Sequence, residues 1–228
     1  KKVVVYLYTL AFKKSHCVFF QNEVNKDIFD RLGIIKGLDT YVVPGSGVNL
    51  KEFYPMEKTI VKEYPVFLFI GRVMKEKGIE EYIESAKNII NKGYKAEFQI
   101  LGPMEEEYWK EKINEYEKQG YIKYLGMSND VRNEIRNCDI VVNPSWHEGM
   151  SNVLLEAGAM GKVLIASDIP GCKEIVVDRV MGYSFPVREQ GKLEEKIEMI
   201  VNAEEKKYAL EHVRDKFSRK KIVKEYMN

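Results

Sequence analysis

From Pro65 to about residue 186, short apolar runs alternate with stretches whose apolar residues recur at helical spacing. The runs at 66–71, 96–101, 121–125, 139–143, 163–167 and 183–186 read as strands. Between them, Ile79, Tyr82, Ile83, Ala86, Ile89 and Ile90 form one stripe, and Trp109, Ile113 and Tyr116 form another. Those stripes are core rather than cofactor boxes. Regular strand–helix–strand alternation predicts an α/β fold with a parallel sheet covered by helices on both faces.

Such a sheet also predicts where a ligand sits, because open α/β sheets bind beyond the carboxyl ends of their strands. Arg72, Gly102, Gly126, Glu148 and Asp168 each follow a proposed strand, which puts them on one rim. The most informative passage there runs from Pro144 to Glu156, Pro-Ser-Trp-His-Glu-Gly-Met-Ser-Asn-Val-Leu-Leu-Glu. It reads as a buried strand end, a tight loop and the first turns of a helix. Free backbone N–H groups at a helix start favour an anion, and two acids flanking it suit a phosphorylated ligand that also carries hydroxyl groups. A nucleotide sugar is such a ligand. Upstream, Gly71-Arg72-Val73-Met74-Lys75-Glu76-Lys77-Gly78 follows another strand, and Arg72 and Lys77 bracket a loop that can neutralise a diphosphate. Taken alone, the two glutamates also fit a solvated strand–loop–helix unit, and Arg72 alone fits a surface ion pair. Together the two loops point to one site.

Several classes fall away. Lys and Arg number 36 against 35 Asp and Glu, so no global field attracts nucleic acid. With 45% hydrophobic and 31% charged residues, the chain can bury a sizeable core. Cys17, Cys138 and Cys172 read as buried or free thiols in a reducing compartment, and His16, His147 and His212 are too scattered for a metal site. No Gly-x-Gly-x-x-Gly fingerprint or P-loop is present. No segment reaches the roughly 20 apolar residues of a membrane span. The stretch from Val3 to Phe12, flanked by lysines, reads as an ordinary buried helix, although its aromatics also suit a membrane surface.

Gly71-Arg72-x4-Lys77-Gly78, Gly102-Pro103, Leu125-Gly126, Pro144-Ser145-x2-Glu148-Gly149-x6-Glu156-Ala157 and Ser167-Asp168-x-Pro170-Gly171 follow one another as they do in glycosyltransferase family 4, which the chain resembles from about Val42 onward. The chain departs from that pattern at Met150 and Gly158, neither a charged position. The resemblance implies retaining enzymes of the GT-B fold, with a Rossmann-like C-terminal half that holds the donor. It assigns Arg72 and Lys77, beside Gly71, to the donor diphosphate. Glu148 goes to the sugar hydroxyls, and Glu156 to the two ribose hydroxyls. Gly149 and the backbone of Met150, Ser151, Asn152 and Val153 would face phosphate and sugar, with Gly126 and Met127 lining the base pocket. No cofactor and no metal is implied, since the cations replace a metal's charge. The co-substrate is a nucleotide sugar, UDP-linked by family frequency, and the acceptor a glycan or lipid-linked intermediate.

The same resemblance divides the chain. Residues 1–55 are the end of an acceptor-side N-terminal domain and the linker, read as helix, strand, helix (Val24 to Leu32, stopped by Gly33) and strand. Residues 56–210 are the nucleotide-sugar-binding domain, and 211–228 a last helix crossing back. The acceptor site belongs to strands that would precede Lys1, so these residues are expected to bind a nucleoside diphosphate weakly and to transfer no sugar alone. His16 carries no matching motif. A cytoplasmic protein is expected, peripheral to the membrane through the missing domain. A non-catalytic nucleotide-binding module, a GT-B-like sugar-nucleotide epimerase and a protein-interaction domain are the alternatives, separable by nucleotide binding.

Overall fold

A computed structural model of the chain describes residues 2–177, 180–202, 219 and 222–224. The N-terminal unit comprises α1 (Lys2–Phe12), β1 (Cys17–Phe20), α2 (Glu23–Arg31) and β2 (Asp39–Val42), the two strands pairing in parallel from Cys17↔Asp39 to Phe20↔Val42. Helix α2 starts where it does because the Asn22 side chain accepts from the Asn25 N–H at 2.8 Å and Glu23 sits in its first turn.

The expectation for α1 is corrected in one respect. The helix forms, but none of its residues is buried, and Val3, Val4, Tyr6, Leu7, Tyr8 and Leu10 are exposed. Its Val5 and Phe12 pack on the small cluster of Phe20, Ile34 and Ile35, and Tyr8 meets Phe29 of α2 edge-on at 5.1 Å between ring centroids. A two-stranded sheet offers too little surface to cover a helix that is apolar on every side.

The larger unit is a six-stranded parallel sheet of β3 (Val66–Ile70), β4 (Glu97–Leu101), β5 (Lys123–Tyr124), β6 (Ile140–Asn143), β7 (Val163–Ser167) and β8 (Gly182–Phe185), in the order β5-β4-β3-β6-β7-β8. Its helices are α3 (Ile79–Asn91), α4 (Glu107–Lys118), α5 (Arg132–Asn137), α6 (Asn152–Ala159) and α7 (Gln190–Val201). Successive strand residues point to opposite faces, and both faces are covered. Leu68, Val141 and Leu164 pack with Leu154 and Leu155 of α6 on one side. Phe67, Val142 and Ile165 pack with Tyr82 and Ile83 of α3 and Leu193 of α7 on the other.

The sheet order reverses between β3 and β6, which pair directly from Phe67↔Ile140 to Phe69↔Val142. That reversal is the switch point at which open α/β sheets form a crevice. It is flanked by the two segments singled out in the sequence, the Arg72–Gly78 loop after β3 and the Pro144–Ser151 loop after β6.

After β2 the chain runs onto the larger unit, where Val48 is buried and Leu50, Phe53 and Met56 pack against the α6-side core. The Val48 carbonyl accepts from the Arg219 N–H at 2.8 Å. Of the last helix expected over 211–228, all but Arg219 and 222–224 lie outside the described residues. Cys138 and Cys172 are buried and Cys17 partly so, all three as free thiols. Among the described residues no helix is long and apolar enough to cross a membrane.

Candidate functional site

The rim at the carboxyl ends of the strands is laced together by its backbone. Gly71 N–H donates to Leu101 O at 2.9 Å, Val73 N–H to Pro103 O at 2.9 Å and Gly102 N–H to Gly126 O at 2.8 Å. A Cβ on Gly102 would stand 1.9 Å from the Gly71 carbonyl oxygen, so only glycine lets these two loops touch. Between them lies a cavity of about 180 Å³, lined among others by Gly71, Arg72, Gly102, Pro103, Met127 and Ser128. Arg72 is exposed, and no ion pair joins it to a described residue. Met127 is 73% exposed, and at Gly126, φ +77°, an added Cβ would meet no atom beyond its chain neighbours within 4 Å.

The basic loop reaches the acid loop at three points. Lys77 Nζ and Glu148 Oε1 form an ion pair at 2.7 Å. The Trp146 N–H donates to the Glu76 carbonyl at 2.9 Å. Gly78, at φ +72° after the single 3-10 turn Lys75–Lys77, presses on Pro144, whose carbonyl oxygen would lie 2.1 Å from an added Cβ. Gly78→Ala therefore combines left-handed strain with a backbone clash, and should lower stability by about 2 kcal/mol or more, measurable as a lower urea midpoint at unchanged slope.

Asn143, the last residue of β6, fixes both ends of the acid loop. Its Oδ1 accepts from the Ser145 N–H at 3.3 Å and its Nδ2 donates to Ser151 Oγ at 2.6 Å. Sequence reading passed over this residue, although a polar amide closing a wholly buried strand was the available signal. Ser151 in turn caps α6, its Oγ accepting from the Leu154 N–H. Of the amides expected to face an anion, that of Ser151 already donates to the Gly171 carbonyl at 2.9 Å. Asn152 and Val153, the first two residues of α6, remain without an intrahelical acceptor. Met150 is buried, its side chain against Gly45. Gly149 is held by the N-terminal unit, its carbonyl accepting from Asn22 Nδ2 at 2.9 Å.

Glu156, one turn into α6, is half-buried, and no hydrogen bond or ion pair ties its carboxyl to a described residue. Burial pushes its pKa up to about 7, against the opposing pull of the Arg219 guanidinium. An unpaired, partly desolvated carboxylate is a strong acceptor for paired hydroxyls. Among the described residues no group of three or more His, Cys, Asp or Glu is placed to hold a metal ion. The rim thus offers exposed and paired cations, free helix-start amides and two carboxylates around one switch point.

Comparison with known proteins agrees. Residues 51–216 match the family model described as glycosyl transferases group 1. The chain belongs to the group 1 glycosyltransferases. It is 32% identical over 213 residues to the N,N'-diacetylbacillosaminyl-diphospho-undecaprenol alpha-1,3-N-acetylgalactosaminyltransferase of Campylobacter jejuni, a match covering 89% of this chain and 55% of that one. It is 26% identical over 193 residues to the capsular polysaccharide biosynthesis glycosyltransferase CapM of Staphylococcus aureus, covering 76% and 49%. The chain therefore spans about half the length of the curated relatives it matches. Among solved structures, sucrose-phosphate synthase from Thermosynechococcus elongatus superposes with a TM-score of 0.86 at 20% identity, over the whole of this chain and 60% of that one. At that identity the likeness speaks for the fold, and the fold is that of the GT-B glycosyltransferases.

Proposed function

We propose that this chain is the donor-binding half of a retaining glycosyltransferase of the family 4 type, which moves a hexose from a nucleotide sugar to a glycan or lipid-linked acceptor. The observation that carries this reading is the 2.7 Å Lys77–Glu148 ion pair across the β3–β6 switch point, which supports a single site where a cation for the diphosphate meets an acid for the sugar. Arg72 and Lys77 hold the diphosphate and stabilise it as the glycosidic bond breaks, because fixed cations aimed at developing charge act most strongly in the transition state. The Asn152 and Val153 amides add the positive end of α6. Glu148 accepts from the sugar hydroxyls and Glu156 from both ribose hydroxyls, while the cavity beside Arg72 and Met127 takes the base. The incoming acceptor oxygen attacks the face that the diphosphate leaves, through an oxocarbenium-like state, so the anomeric configuration is retained.

UDP is the expected nucleotide and no metal is required, the cations taking its place. The name of the Campylobacter relative carries a diphospho-undecaprenol acceptor, which supports a lipid-linked acceptor met at the cytoplasmic membrane face. Acceptor binding falls to the rest of the protein, so these residues bind donor and transfer nothing by themselves.

Calorimetric titration with UDP, GDP and ADP tests the reading. Binding of one nucleotide, lost in both Arg72→Ala and Glu156→Ala, is the expected result. No binding of any nucleotide sinks the donor site, and turnover by these residues alone contradicts the division of labour.

A further inference from the structure

We propose that Glu81 is a positioning residue, setting the place of the acid loop through the indole of Trp146. Its consequence for ligand binding rests on the donor-site reading above. Glu81 lies in the first turn of α3 at 9% exposure, and it is the one carboxylic acid buried among the described residues. Its Oε1 accepts from Trp146 Nε1–H at 2.9 Å, while its Oε2 is buried with no hydrogen-bond partner. Burying a carboxyl group that is only half satisfied costs free energy. Buried with it in α3 are Ile79, Tyr82, Ile83 and Ala86, and also Ser85, one turn on, whose hydroxyl has no hydrogen-bond partner, so the Trp146 indole is the side-chain partner that Glu81 has among the described residues. The acid is explained by what it holds.

Trp146 is held from other directions too. Its backbone N–H donates to Glu76 O at 2.9 Å, and the Arg188 guanidinium carbon stands 4.1 Å from its ring centroid. Arg188 adopts φ +65°, and among the described residues no other non-glycine has positive φ. Such a backbone persists where the surroundings over-determine it. Glu148 is thereby suspended between two anchors. Upstream, the Trp146 side chain is tied to α3; downstream, the Gly149 carbonyl is tied to Asn22 at 2.9 Å. Releasing the upstream anchor moves a carboxylate that must meet sugar hydroxyls within hydrogen-bond tolerance, and small displacements there are costly. Its effect should fall on the sugar rather than on the nucleotide.

The sequence holds two tryptophans, Trp109 and Trp146, so a ¹⁵N-correlated spectrum shows two indole N–H resonances, and Trp146→Phe assigns them. In Glu81→Leu the Trp146 resonance should shift upfield as its acceptor is lost, whereas Glu81→Gln, which keeps an acceptor, should leave it near the wild-type position. Affinity for UDP-glucose should fall about tenfold in Glu81→Leu, with UDP affinity falling far less, and Glu81→Gln should stay within about twofold of wild type. Trp146→Phe should reproduce the Glu81→Leu pattern from the other partner, which covers the case of Glu81→Leu failing to fold. An unmoved resonance, or equal weakening of UDP and UDP-glucose, overturns the positioning role while leaving the donor site intact. If UDP, GDP, ADP and their glucose conjugates all fail to bind the wild-type chain, the donor-site reading falls and this role falls with it.

Discussion

Replacing Glu156 with glutamine should stabilise the fold above pH 7 and abolish nucleotide binding in the same protein. The carboxyl is half-buried and its pKa is pushed up to about 7 by burial. A raised carboxyl pKa means that the folded chain binds the proton more tightly than the unfolded one. Stability therefore falls as pH rises from the ordinary carboxylate range to about 7, and above that the ionised Glu156 costs the fold its full amount. Allowing for solvent screening of a half-buried group, that cost is on the order of 2 kcal/mol. Glu156→Gln should accordingly melt about 4–8 °C higher at pH 8 and lose that advantage near pH 4. Ribose hydroxyls donate to the ionised carboxylate, so wild-type nucleotide affinity should increase from pH 6 to pH 8, and the glutamine variant should show neither the affinity nor its pH dependence. Differential scanning calorimetry and titration across that range read both. A variant destabilised at pH 8 would contradict the account of the group.

Lys77 and Arg72 should separate in a second way. Lys77→Ala removes one member of a partly buried pair and leaves Glu148 unpaired, so it should lower stability by about 1–2 kcal/mol as well as weakening donor binding by about 100-fold. Arg72 is exposed and joined by no ion pair to a described residue. Arg72→Ala should weaken the donor by a similar factor while moving the melting temperature by no more than about 1–2 °C. A Lys77–Glu148 double-mutant cycle on stability should show coupling that an Arg72–Glu148 cycle lacks. Equal effects of the two single variants on melting would mean that the pair is not formed in solution.

What could be read from the sequence is what local periodicity encodes. The strands expected at 66–71, 139–143 and 163–167 are found as Val66–Ile70, Ile140–Asn143 and Val163–Ser167, because a run apolar on both faces fits the middle of a covered parallel sheet. The strand expected over 121–125 is found as Lys123–Tyr124, at one edge of the sheet, where it pairs with β4 alone. Helix α1 was legible as a helix, but whether it is covered depends on surface that a local pattern does not describe. The convergence of the two loops was legible through the rule that ligands gather beyond strand ends, and the Lys77–Glu148 contact lies where that rule puts it. The anchors were not legible. Glu81 and Trp146 are 65 positions apart, and Asn22 and Gly149 are 127 apart. No periodicity links such pairs, and each side chain alone reads as an ordinary helix or loop residue.

A crystal structure of this chain grown with UDP-glucose tests most directly whether the basic and acid loops serve one ligand. The account predicts diphosphate oxygens within hydrogen-bond distance of Arg72 and Lys77, ribose hydroxyls on Glu156, and the sugar on a Glu148 drawn away from Lys77. A nucleotide seated elsewhere, or one that engages Arg72 while Glu156 and Glu148 stay solvated, would contradict it.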